Sequence, residues 1–320
     1  MLTEVQGQDE GVRFLRKVVE GRFTSPLLLV GPEGVGRRFS VIEAAREAFS
    51  KGDPTSIHGL QLDQGVHPDF IYVRAPEAKD IGIDTVREVV DQASFLPMMS
   101  DRRYVVIDGV DTMTWAAANA FLKTLEEPHV STQFFLLAES YSSVIPTIRS
   151  RCGLVQYRPL SEGFIVAQLM QCTDDATKAL VYARLSEGSV GRAVQYFGSG
   201  RLALRDSMVG LLRKALTKDL ASLFVGVNAI SGGTVKGAAG LRLGLRFFEH
   251  VLHDLAILPY DPSRMTNLDI AEDLTQLRGQ IGDTRLAKLF VGIKDLRRHQ
   301  EAPINLGFHV KTYLATAFLE

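Results

Sequence analysis

A parallel, doubly wound α/β domain followed by an all-helical remainder is the fold class that this sequence predicts. Three observations predict it. Short apolar runs alternate with helical patterns through the first half of the chain. Those runs are apolar at consecutive positions rather than at every second one, the pattern of strands buried on both faces. Strand signals then stop after Pro159. Right-handed crossovers wind such strands into one sheet over about residues 1–158.

The elements follow in order. Pro26-Leu-Leu-Leu-Val-Gly31 is the first strand, and a helical pattern runs from about Gly36 to Phe49. Phe70-Ile-Tyr-Val73 is the second strand. Asp84 is placed to cap a helix through Val86, Val89, Val90 and Ala93. Tyr104-Val-Val-Ile-Asp108 is the third strand. The helix from Thr114 to Glu126 stops ahead of Pro128, because proline disfavours helix at the residue before it. Trp115, Phe121, Leu122 and Leu125 on that helix read as its core-facing stripe. Gln133-Phe-Phe-Leu-Leu-Ala138 and Leu154-Val-Gln-Tyr157 complete the sheet. Residues 160–198 carry a small helical unit with a turn at Glu187-Gly-Ser-Val-Gly191, and 201–320 read as helical throughout. Gly232-Gly233, Pro259, Pro262 and Pro303 punctuate that last region, and Leu241, Leu245, Phe248 and Leu252 form a core stripe in it. The domains are therefore 1–158, 159–200 and 201–320.

Composition narrows the function. Lys+Arg 36 against Asp+Glu 37 leaves a formal charge of -1, which excludes a histone-like or tail-driven nucleic-acid binder. A 46% hydrophobic share excludes disorder as the dominant state. Cys152 and Cys172 are the only cysteines, too few for a disulfide framework or a four-thiolate zinc site. No apolar run approaches the roughly 20 residues of a membrane span. The first residues, Met-Leu-Thr-Glu-Val-Gln, lack the basic start of a secretory signal. A cytoplasmic protein without a membrane partner is expected.

Gly31-Pro-Glu-Gly-Val-Gly36 lies between the first strand and its helix. A phosphate loop needs glycines there: backbone N–H groups cradle phosphate and the helix dipole favours its charge. The same glycines suit a tight turn at positive φ. The chemistry around them is altered. Arg37 takes the lysine position, and Arg38 the position that offers a hydroxyl to Mg²⁺. A planar guanidinium does not replace a compact ammonium, and it has no lone pair for a metal. Ser40 lies two residues too late. Asp108 ends the third strand where a magnesium-organising carboxylate belongs, but Gly109 stands where the water-activating Glu would be. A carboxylate satisfying nearby helix amides is the other reading of Asp108. Lysine, hydroxyl and base are missing together.

Two stretches are more specific. One is Trp115-Ala-Ala-Ala-Asn-Ala-Phe-Leu-Lys-Thr-Leu-Glu-Glu-Pro128, the other Ile145-Pro-Thr-Ile-Arg-Ser-Arg-Cys152. With His67-Pro-Asp-Phe70 and Gly188-Ser-Val-Gly-Arg-Ala193, they resemble the bacterial clamp-loader AAA+ family. The resemblance covers roughly residues 1–200 by motif and the remainder by helical layout. It implies a RecA-like module, a small helical lid and a helical collar domain. The broken loop beside an intact Ser150-Arg151-Cys152 is similar to the delta-prime branch of DNA polymerase III clamp loaders. Members of that branch do not hydrolyse ATP. They offer the Ser-Arg-Cys arginine to ATP held by a neighbouring ATPase subunit, the role implied here for Arg151.

The resemblance also implies the partners: ATPase subunits, a delta-like subunit, a sliding clamp, and primer-template DNA met through the assembly. Arg192 matches a sensor arginine, while Glu139 at the end of the fourth strand would repel a phosphate. Many relatives carry a four-cysteine zinc module where this chain has Ser50 to Pro68; His58 and His67 alone do not close a tetrahedral site, so no zinc is expected. Arg149 is a second finger candidate, and a surface salt bridge is the plain reading of either arginine. Glu126-Glu127 reads as a helix-end feature rather than an acid–base pair. Arg102-Arg103 and Arg297-Arg-His299 read as solvated faces. Three rival readings are an active ATPase using Arg37 and Asp108, a pure scaffold, and a small-molecule kinase. The helical C-terminal half argues against the kinase.

Overall fold

The computed structural model describes residues 1–51, 53, 55–75, 80–232, 238–298 and 306–319. Gly233, His299 and Pro303 lie outside the described residues. The chain divides into two compact units. One holds residues 1–165 with 188–192, the other 166–187 with 193–320.

The first unit contains five parallel strands: β1 (Leu27–Val30), β2 (Phe70–Arg74), β3 (Arg103–Asp108), β4 (Thr132–Ala138) and β5 (Gly153–Gln156). Their order is β2-β3-β4-β1-β5, and β1 pairs in parallel with β4 and β5. The order reverses beside β1, so the segment leaving its carboxyl end opens into the crevice where α/β sheets place their sites. Helices α1 (Asp9–Val19), α2 (Arg37–Ser50), α3 (Ile57–Gln64), α4 (Ile83–Ser94), α5 (Trp115–Glu126) and α6 (Pro146–Arg149) connect and cover the strands.

Consecutive apolar residues serve opposite faces of the sheet, because a strand's side chains alternate. Leu28, Val30, Val105, Ile107, Phe134 and Leu136 form one core with Val86, Val89, Phe121 and Leu125. Leu27, Leu29, Tyr104, Val106, Phe135 and Leu137 form the other with Leu15, Val41, Ala44 and Ala45. The strand expectations therefore hold to within a residue.

Two helix expectations are corrected. Gly82, not Asp84, is the N-cap of α4, and Asp84 sits in the first turn. There a carboxylate still favours the helix dipole. Trp115 is 65% exposed and is no part of the core stripe. At about 100° per residue it lies some 120° around the helix from Phe121, so burying one turns the other outward. The α5 start itself is as expected: the Thr114 side chain accepts from Ala117 N–H at 3.2 Å.

His67-Pro-Asp-Phe70 has a structural role. Asp69 is fully buried, and its carboxylate accepts the backbone N–H groups of Met98, Met99 and Ser100 at 2.7, 2.8 and 2.8 Å. Arg103, expected on a solvated face, is instead buried and lies 3.5 Å away. Burial opposes the charge, but these donors and Arg103 outweigh it and hold the carboxyl below its ordinary range.

Helices α7 (Glu162–Leu169), α8 (Ala176–Leu185), α9 (Val190–Gly198), α10 (Leu202–Leu216), α11 (Leu220–Gly232), α12 (Ala238–Ile257), α13 (Ala271–Gln280), α14 (Asp283–Arg298) and α15 (Leu306–Leu319) follow β5. Leu241, Leu245, Phe248 and Leu252 are buried, as the stripe on α12 predicts. Arg205 is buried and meets both carboxylate oxygens of Asp269 at 2.6 and 2.8 Å. No helix among the described residues is long and apolar enough to cross a membrane.

Candidate functional site

The loop 31–36 leaves β1 and enters α2. Space requires glycine at 31, space and φ together at 34, and φ alone at 36. A Cβ on Gly31 would stand 2.3 Å from the Tyr157 carbonyl oxygen, and Gly34 adopts φ +78 with room for none. Gly36 adopts φ +104 as the N-cap of α2. The segment Gly188–Arg192 lies on this loop. Ser189 Oγ donates to the Glu33 carbonyl at 2.8 Å, and Gly191 N–H donates to the Gly34 carbonyl at 3.0 Å. Arg192 donates its backbone N–H to Ser189 Oγ at 3.1 Å. The loop is thus braced from the far end of its own unit.

Ser40, Arg38 and Asp108 beside the loop are engaged with protein, whereas Arg37 Nη1 is buried without a hydrogen-bond partner. Arg37 is 7% exposed on the first turn of α2. Ser40 is fully buried; its hydroxyl donates to the Arg37 carbonyl at 2.8 Å and lies 2.5 Å from the Tyr157 hydroxyl. Burial pushes the Tyr157 phenol up to about 12, so it is a neutral partner there. The Arg38 guanidinium lies 4.1 Å from the centre of the Tyr72 ring. The Tyr72 hydroxyl donates to Asp108 Oδ2 at 2.6 Å. Burial, then the hydrogen bond to Asp108 and its charge, push the Tyr72 phenol up to about 12.

Asp108 therefore accepts from a phenol, and not from the helix amides of the alternative reading. Gly109 turns the chain at φ +91. Asp111, next along, accepts the Glu139 backbone N–H at 2.9 Å and ties the end of β4 to that turn. Neither Ser40 nor Arg38 offers a hydroxyl to a metal. The residues present do not fit a magnesium–nucleotide complex poised for hydrolysis. Among the described residues no three His, Cys, Asp or Glu side chains gather as a metal cluster. His58 and His67 instead face one another, Nδ1 to Nε2 at 2.9 Å.

A second group of residues lies at the other sequence-predicted motif. Short helix α6 and β5 are joined by Ser150-Arg151-Cys152. Cys152 packs against the core, and burial pushes its thiol up to about 12, so it is inert. Ser150 Oγ donates to the Thr147 carbonyl at 3.1 Å. Arg151 turns outward with 30% of its side chain exposed. Its Nε donates to Glu126 Oε1 at 2.7 Å, and its Nη2 reaches the same oxygen. Its Nη1 donates to the Thr147 carbonyl at 2.9 Å and to Ser150 Oγ at 3.2 Å. Arg149 stacks 4.8 Å from the centre of the Tyr141 ring. Arg151 borders a cleft of about 670 Å³ with Thr24, Ser25, Glu126, Pro128 and His129.

The structure brings Gly31, Gly34, Gly36, Arg37, Arg38, Asp108 and Arg192 into one neighbourhood and keeps Arg151 in another. Sequence reasoning missed Tyr72, Tyr157 and Ser189 at the loop, and the pairing of Glu126 with Arg151. The two tyrosines carried a signal: each stands near the carboxyl end of a strand, where side chains enter the crevice.

Comparison with known proteins accords with these motifs. Residues 7–161 match the family described as DNA polymerase III, delta subunit. The chain is 31% identical over 244 residues to DNA polymerase III subunit delta' of Escherichia coli, covering 75% of this chain and 70% of that protein. It is 31% identical over 205 residues to subunit delta' of Pseudomonas aeruginosa, covering 61% and 62%. The fold is also that of a DNA polymerase III gamma subunit-related protein of Thermotoga maritima. That match has a TM-score of 0.56 at 20% identity over 96% of this chain and 98% of the other. Motifs, sheet order and relatives together make this chain a member of the DNA polymerase III delta-prime family, AAA+ clamp-loader subunits of DNA replication.

Proposed function

We propose that this chain is the non-hydrolysing member of a clamp loader and supplies Arg151 in trans to ATP on a neighbouring ATPase subunit. One observation carries the reading. The chain's own loop has lost the groups that hydrolysis needs, while the arginine of Ser-Arg-Cys is solvent-accessible beside an open cleft. Phosphoryl transfer spreads charge over the γ-phosphoryl oxygens, and an arginine from outside the site stabilises that charge. The assembly then opens a sliding clamp and places it on primed DNA. A delta-like subunit completes the ring. DNA is met through weak, salt-sensitive phosphate contacts shared across subunits, which suits a chain of net charge -1.

The test is reconstitution with the ATPase subunits. Arg151→Ala is expected to assemble normally and to slow hydrolysis at the adjoining site by about 10³–10⁵. Unchanged turnover would sink the finger and leave a scaffold. Turnover by the isolated wild-type chain, abolished by Asp108→Ala, would instead establish an active ATPase.

A further inference from the structure

We propose that Glu126 parks Arg151, and that a phosphate must displace this carboxylate before the arginine can act. The inference rests on the trans-arginine reading above and concerns how that arginine is presented.

A guanidinium has five N–H donors in a fixed planar fork, and it grips an oxyanion best along an edge that offers two of them. Here the Nε–Nη2 edge is spent on a single oxygen, Glu126 Oε1. Both Nη1 donors are spent on Thr147 O and Ser150 Oγ. Only one Nη2 donor is left over. No edge of Arg151 can receive a phosphate in two-toothed fashion while this arrangement stands.

The two anchors differ in how easily they yield. Thr147 and Ser150 lie within four residues of Arg151, and their contacts travel with the turn that carries it. Glu126 comes from the end of α5, and half of its side chain is exposed. A carboxylate at a helix C-terminus is disfavoured by the helix dipole. Glu126 is therefore held there by Arg151 rather than by its own helix, and a more highly charged phosphate oxygen can replace it. Glu126 is a positioning residue: it keeps the guanidinium ordered and its charge balanced until a neighbour's nucleotide competes for the same edge.

Glu126→Gln keeps shape and an acceptor oxygen but removes the charge. In a loader reconstituted with this variant, the KM for ATP at the adjoining site should fall about two- to five-fold, the range an exposed ion pair commands. The decrease should vanish in Glu126→Gln combined with Arg151→Ala, since the effect acts through the arginine. In the isolated full chain, Arg151 Nε–H should exchange with solvent faster in Glu126→Gln than in the wild type, at an unchanged melting temperature. An unchanged KM, or slower turnover in Glu126→Ala that Glu126→Gln restores, would overturn parking and leave Glu126 as a support for the active pose or as a bystander. Arg151→Ala alone separates the two levels: if it leaves turnover intact, the trans-arginine reading itself has failed.

Discussion

Single residues in this chain are assigned by what they touch, and Asp69 illustrates it best. Its carboxylate holds three backbone N–H groups and faces Arg103 without any exposure to solvent. Asp69→Ala leaves those three donors unpaired and removes the carboxylate beside Arg103, which keeps its carbonyl acceptors at Gln92, Phe95 and Leu96. The loss is expected to cost about 3 kcal/mol or more in urea unfolding. Nearby His67 links residue chemistry to pH. Burial first, and His58 second, hold its pKa below the ordinary value of 6.5, against the pull of Asp69. The unfolded chain therefore binds more protons than the native one as pH drops below about 6.5. The stability from neutral His67 is complete above that pH and drains as pH falls toward the folded pKa. Urea midpoints should decline between pH 7.5 and 5.5 in the wild type and decline less in His67→Gln.

At the scale of elements, the loop after β1 owes its shape to backbone demands that a motif reveals only in part. Glycine at 34 and 36 is legible as a phosphate-loop pattern. Their separate reasons are not. Gly34 combines positive φ with a Cβ position 2.3 Å from Ser189 Oγ, whereas the Cβ position of Gly36 is open. Gly34→Ala should therefore destabilise by about 2–3 kcal/mol and Gly36→Ala by about 1 kcal/mol, since only the first adds a clash to strain. Equal losses in denaturant titrations would contradict the bracing by residues 188–192. Helix α5 shows the same division. Its span and its stop before Pro128 follow from local sequence. Trp115 does not join its buried face, because a spacing of six residues sets it about 120° around the helix from Phe121.

For the whole molecule, the proposed non-hydrolysing role rests on several positions at once. Arg37, Arg38 and Gly109 each lack a needed group, Ser40 is turned inward, and the loop is braced from residues 188–192. Restoring the motif alone, with Arg37→Lys and Arg38→Thr, should leave the isolated chain without measurable ATP turnover. Appreciable hydrolysis by that double variant would show that the loop sequence was the sole defect. The charge balance argues in the same direction for DNA. With 36 cations against 37 anions, the chain alone should bind primed DNA weakly and lose that binding steeply between 50 and 200 mM salt (about the range over which phosphate contacts are screened).

Local order is enough to specify the parallel α/β unit, the helical remainder, the family motifs and the substitutions at the loop positions. Each of these is written in local order: consecutive apolar runs, proline and glycine stops, and residue types at motif positions. Tertiary structure alone decided the partners of those residues. Asp108 meets Tyr72 across 36 positions, and Ser40 meets Tyr157 across 117. Arg151 meets Glu126 across 25. A carboxylate or a guanidinium declares its charge in the sequence, but the chain must close on itself before that charge acquires a counterpart.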